Sequence, residues 1–123
     1  PRQAAAGTLT MAQLAGLPVI GLDGRDPLGI VLGHVLQGSD TRLREVMSVQ
    51  TYHVALALAQ HGVGVALVES CTAASADPDK VDILALEPAI ATTVHALRPT
   101  ARPNSLMTRH FTRCMQQALT QIT

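Results

Sequence analysis

The sequence predicts an α/β fold: a mostly parallel sheet flanked by helices. Three observations lead there. Short apolar runs alternate along the chain with stretches of helical periodicity, an order that gives parallel strands joined by crossover helices. The run Val63–Val68 is apolar almost without interruption, as in a strand covered on both faces. At 123 residues, 47% of them hydrophobic, the chain is about one domain long and can bury a core.

The elements follow in order. Residues 1–9 read as a lead-in of small residues. Thr10-Met11-Ala12-Gln13 fits a capping box, with the Thr10 hydroxyl and the Gln13 amide each serving the other's backbone, before a short helix that stops at Gly16. Pro18–Leu22 is a short apolar run bounded by Pro18 and by the Asp23-Gly24 turn, which suits a buried strand. Asp26-Pro27 starts a helix: the carboxylate accepts free amides, and proline at the first position gives up one that had no partner. Its apolar face carries Leu28, Val31, Leu32 and Val35, and Gly38 is expected to end it. Arg44–Val49 is the second strand. Residues 51 to 61 form a helix whose positions 54–59 are all apolar, which predicts that it is buried or faces a partner. After the strand at 63–68, a short helix begins near Cys71 and breaks at Asp77-Pro78. Residues 81–86 and 91–97 read as two more strands, and Arg98-Pro99 opens a turn. Asn104 or Ser105 then caps a last helix with Met107, Phe111, Cys114, Met115 and Leu119 on one stripe.

Composition narrows the function. Nine basic residues balance nine acidic ones, so the chain has no electrostatic footprint for nucleic acid. Charged residues make up 15%, against about a quarter in ordinary domains, which suggests that part of the surface is covered. Tyr52 and Phe111 are the only aromatics, a poor supply for stacking on sugars or bases. Cys71 and Cys114 have no CxxC partner and read as free thiols of a reducing cytosol. No apolar run is long enough to span a membrane. Pro1-Arg2-Gln3 holds neither an initiator Met nor a signal-peptide core and is read as a cut end, with the natural protein extending upstream.

In sheets of this kind ligands sit beyond the carboxyl ends of the strands, so the loops after Leu22, Val49 and Val68 are the candidates. At Gln50 and Thr51 a strand gives way to a hydrophobic helix whose first amides are free donors at the positive end of its dipole. With the Gln50 amide and the Thr51 hydroxyl these can hold a carboxylate; the plainer alternative is that one of the two simply caps the helix. Ser70 and Cys71 close the next strand in the same way. A nucleophilic Cys71 would need a positioned base, and His53 is the only candidate. Asp23-Gly24-Arg25-Asp26 lacks the later acidic ligand of a calcium loop. The histidines form no HExxH, and neither GxGxxG nor GxxxxGK[ST] occurs, so no metal and no cofactor is expected. No catalytic residue is assigned. A small-molecule binding unit is therefore preferred over the alternative, a small hydrolase-like or other α/β enzyme using Cys71.

These residues also carry a resemblance. Leu9-Thr10-Met11-Ala12-Gln13-Leu14-Ala15-Gly16-Leu17-Pro18-Val19-Ile20 resembles the segment that opens the second half of the effector domain of LysR-type transcription regulators. Gly21–Gly29 is similar to the strand and helix start of members that sense amino acids or opines. Ala55-Leu56-Ala57-Leu58-Ala59 followed by His61-Gly62-Val63-Gly64-Val65-Ala66-Leu67-Val68 is the best match. His95 to Phe111 resembles the family's closing strand, proline turn and helix. Together the matches cover most of residues 8–120.

The resemblance implies one part of a type II periplasmic-binding-protein fold, whose two subdomains close on a small effector. On that reading residues 1–123 are a partial effector-binding domain. Residues 8–90 are its second subdomain, and 91–123 the strand and helix that return to the first. The DNA-binding domain has no counterpart, so DNA would be reached only through the parent protein. That parent would be a self-associating cytoplasmic regulator, with no membrane part. Effector contacts are expected at Gln50 and Thr51, with Asp23, Ser70 and Cys71 beside them. The expected effector bears a carboxylate, an amino acid or another organic acid.

Overall fold

The computed structural model describes residues 7–23 and 25–122, and the chain divides into two units, Pro1–Thr92 and Thr93–Thr123. Among the described residues the first unit holds five strands and four helices. Gly7–Thr10 (β1) pairs in parallel with Leu84–Glu87 (β5). Part of the expected lead-in is thus a strand, because Gly7 to Thr10 find a partner ladder far along the chain; residues 1–6 lie outside the described residues. A three-stranded sheet takes Pro18–Leu22 (β2) at its centre, with Arg44–Val49 (β3) on one side and Val65–Ala66 (β4) on the other. Every one of these pairings is parallel, and the α/β class expected from the sequence is the class observed.

Local chemistry sets the helix ends. Met11–Ala15 (α1) has both bonds of the capping box: Gln13 N donates to Thr10 Oγ1 at 3.3 Å, and Thr10 N to Gln13 Oε1 at 2.9 Å. Pro27–Ser39 (α2) starts on Asp26, whose Oδ2 accepts from Leu28 N at 2.9 Å and Gly29 N at 3.2 Å. It ends on Asp40 in the left-handed conformation, φ 52°, rather than on Gly38, since aspartate tolerates that region nearly as asparagine does. Tyr52–Gln60 (α3) is capped by Thr51 and closed by a Schellman motif: Val63 N donates to Leu58 O, and Gly62 N to Ala59 O, with Gly62 at φ 77°. Ser70–Ala73 (α4) is a single turn.

The core is formed by Met11, Leu14 and Val19, with Leu32, Val35 and Leu36 of α2 packed against it. Leu14 and Ile20 are wholly buried. Fully burying one such side chain contributes about 1.5–3 kcal/mol. Gly64 lets β4 approach the sheet, since a Cβ there would lie 2.6 Å from the Pro18 carbonyl oxygen.

Burial is less complete than the apolar patterns predict. In α3 only Ala55 and Leu56 are buried, while Val54 is 48% exposed, because one side of the helix meets the sheet and the other does not. β3 is an edge strand whose Val46 and Met47 are exposed. The expected strand at 63–68 pairs only at Val65 and Ala66, opposite Val19 and Ile20. Residues 91–97 are not a strand: no ladder among the described residues offers them hydrogen bonds, and extended backbone becomes sheet only beside a partner.

The second unit contains Leu106–Ile122 (α5). Ser105 caps it, its Oγ accepting from Thr108 N at 3.1 Å. The helix is strongly two-sided, and Leu106, Met107, Phe111 and Met115 are exposed.

Candidate effector site at the strand ends

Because β2, β3 and β4 run parallel, Leu22, Val49 and Ala66 all end at one edge of the sheet. The chain passes from β2 to β3 on one side and then crosses back to β4 on the other. The loops beyond the carboxyl ends are where sheets of this type bind ligands. Asp23 N donates to Val49 O at 2.9 Å, and Asp26 N to Asp23 O at 3.0 Å. These two bonds hold the β2–α2 loop against the end of β3.

Asp23, Arg25, Asp26, Pro27 and Gln50 line an open depression of about 390 Å³. Arg25 Nε lies 3.9 Å from Asp23 Oδ2, and the Arg25 side chain is almost fully exposed. An ion pair that open to water is worth about 0–1 kcal/mol, so the guanidinium is readily given up to another anion. Tyr52, the first residue of α3, donates its hydroxyl to the same Asp26 oxygen that caps α2. Burial, followed by the Asp26 carboxylate, pushes the Tyr52 phenol well above its ordinary value of 10.0, so it is a protonated donor at neutral pH. Glu69 at the end of the third loop accepts from the Thr72 hydroxyl, and its other oxygen, Oε2, is buried with no hydrogen-bond partner.

Of the residues expected at the site, Asp23 and Gln50 come together around the depression. Thr51 adjoins them in the chain, and its hydroxyl accepts from Val54 N at 3.3 Å as the α3 cap. That bond uses an oxygen lone pair and leaves its hydrogen to give. Ser70 and Cys71 are exposed on α4 and are not part of the lining. The Cys71 thiol is free; among the described residues the one thiol–imidazole contact is Cys114 with His110. Arg25, Asp26 and Pro27 line it without having been expected there, and Tyr52 is tied to it through Asp26. The signal for them is topological: loops following adjacent parallel strands must meet, so the cap after β2 and the aromatic after β3 are neighbours.

A family model, the LysR substrate binding domain, matches residues 1–120. The chain belongs to that family. Its members are the effector-sensing parts of transcription regulators, with a fold of the periplasmic-binding-protein kind. No curated protein and no solved structure matches the chain. The strand-end depression of this LysR substrate-binding domain carries side chains of both signs of charge. Among the described residues no helix of the LysR domain is long and apolar enough to cross a membrane.

Proposed function

We propose that the depression at Asp23, Arg25 and Gln50 receives a carboxylate-bearing effector, an amino acid in the first place, on behalf of a LysR-type transcription regulator. The observation that carries this is the pairing of an exposed guanidinium with a carboxylate in one lining. An amino acid presents the complementary pair, its carboxylate for Arg25 and its ammonium for Asp23, while Gln50 and the Thr51 hydroxyl supply directional hydrogen bonds. The first amides of α3 add the positive end of a helix dipole nearby. Ser70 and Cys71 lie on α4, outside that lining, and would be reached only by an effector that extends toward the next strand end.

Residues 8–90 act as the second subdomain, and 91–123 return to the first. The exposed apolar side chains of α5 support that division, since a helix that two-sided normally rests on a core. Effector binding closes the lobes to the extent that it prefers the closed form. In the self-associating cytoplasmic parent this repositions DNA-binding domains, through which alone DNA is contacted. An enzyme working through Cys71 gains no support from a thiol without a bonded base.

The test is calorimetric titration with the common amino acids and with simple organic acids lacking the amine. An amino acid is expected to bind best, and Arg25→Ala or Gln50→Ala to weaken it by about 1–3 kcal/mol, the range of hydrogen bonds to charged groups. Equal affinity in wild type and both variants would remove the ligand from this depression.

A further inference from the structure

We propose that His110 and Cys114 form a bidentate clamp for a thiophilic divalent metal ion, zinc in the first place, on α5, with Cys114 at the margin of its apolar stripe and His110 beside it. The two side chains are one helical turn apart, at positions i and i+4, and therefore share a face. Their donor atoms, Cys114 Sγ and His110 Nε2, lie 3.7 Å apart. A zinc–sulfur bond of about 2.3 Å and a zinc–nitrogen bond of about 2.0–2.1 Å, set at the tetrahedral angle, separate the donors by about 3.6 Å. The helix thus already holds the two donor atoms at the separation that one edge of the required tetrahedron has.

The ligand set selects the ion. Thiolate with imidazole suits zinc, whereas magnesium and calcium demand oxygen donors, and α5 contains no Asp or Glu at all. Both side chains are exposed, so the ion enters from solvent and water fills its two remaining positions. No cluster of three or more ligating side chains occurs among the described residues, which makes this an exchangeable two-ligand site rather than a closed structural one. Binding forms the sulfur–zinc bond as the thiol proton leaves to solvent.

Cobalt(II) serves as the probe, added to the reduced full chain without oxygen. The expected result is one ion per chain with a thiolate-to-cobalt absorption band in the near ultraviolet, bleached by zinc. Cys114→Ser should abolish the band, and Cys71→Ser should keep it. His110→Ala should weaken cobalt binding on the order of a hundredfold, the loss when the second contact of a linked pair is removed. All three positions are exposed, and circular dichroism of each metal-free variant checks that α5 is intact. If the wild type gives no band, the contact is a thiol–imidazole hydrogen bond alone and the clamp is wrong. A band that survives Cys114→Ser, is indifferent to His110→Ala or disappears with Cys71→Ser overturns it equally.

Discussion

One oxygen of Asp26 accepts from three donors and so joins two parts of the molecule. It accepts two backbone amides at the start of α2 and the phenol of Tyr52 at the start of α3, so the loops after β2 and β3 are fixed to each other by a side chain as well as by the sheet. Tyr52→Phe removes only the third of these donors. A hydrogen bond to a charged group is worth about 1.5–3 kcal/mol, and the amides that remain place the expected loss near the lower end, read by urea denaturation at pH 7. The same bond sets a pH dependence. The folded phenol titrates above 10.0, so its contribution is complete below pH 10 and is lost as pH rises further, where the unfolded chain ionises first. Wild-type stability should therefore fall with pH above about 10, and the Phe variant should lack that component. Parallel curves for the two proteins in this range would show that the Tyr52 hydroxyl is not held as described.

The elements with their own stop and start signals are the ones the sequence makes legible. Thr10 and Gln13 announce α1, Asp26-Pro27 announces α2, and Gly62 closes α3, because capping is chemistry between residues only a few positions apart. Gly62 at φ 77° gives this a test. Gly62→Ala meets no atom within 4 Å, so its cost is backbone strain alone, about 1–2 kcal/mol, measurable as a lower denaturant midpoint with an unchanged slope. Elements that depend on a distant partner are not legible in this way. Gly7–Thr10 becomes a strand because Leu84–Glu87 lies beside it, and residues 91–97, with a comparable apolar pattern, remain unpaired. The site divides similarly. Asp23 and Gln50 could be placed by the rule that parallel strands bind at their carboxyl ends. Tyr52 reaching Asp26 needs the order β3-β2-β4, and that order is not written in any one segment. Ser70 and Cys71 were chosen by the same strand-end rule, yet α4 carries them outside the lining, since β4 stops at Ala66 and three residues intervene.

At the scale of the whole molecule, the buried core among the described residues is drawn from positions up to Leu86, and the described side chains of α5 are not buried. A chain ended at Thr92 is accordingly expected to unfold cooperatively, with a stability within about 1 kcal/mol of the full chain, a modest change on the scale of single substitutions. Loss of the cooperative transition on that truncation would assign residues 93–123 a structural part in the first unit. The parallel pairing of β1 with β5 also has a kinetic side. Gly7 is matched to Leu84, 77 positions further along. A ribosome adding about 5–20 residues per second takes roughly 4–15 s to make that stretch, whereas a strand can pair in microseconds. Throughout that interval the first strand is without its mate, so the nascent chain has to keep an edge from being taken by a neighbour until its own fifth strand emerges.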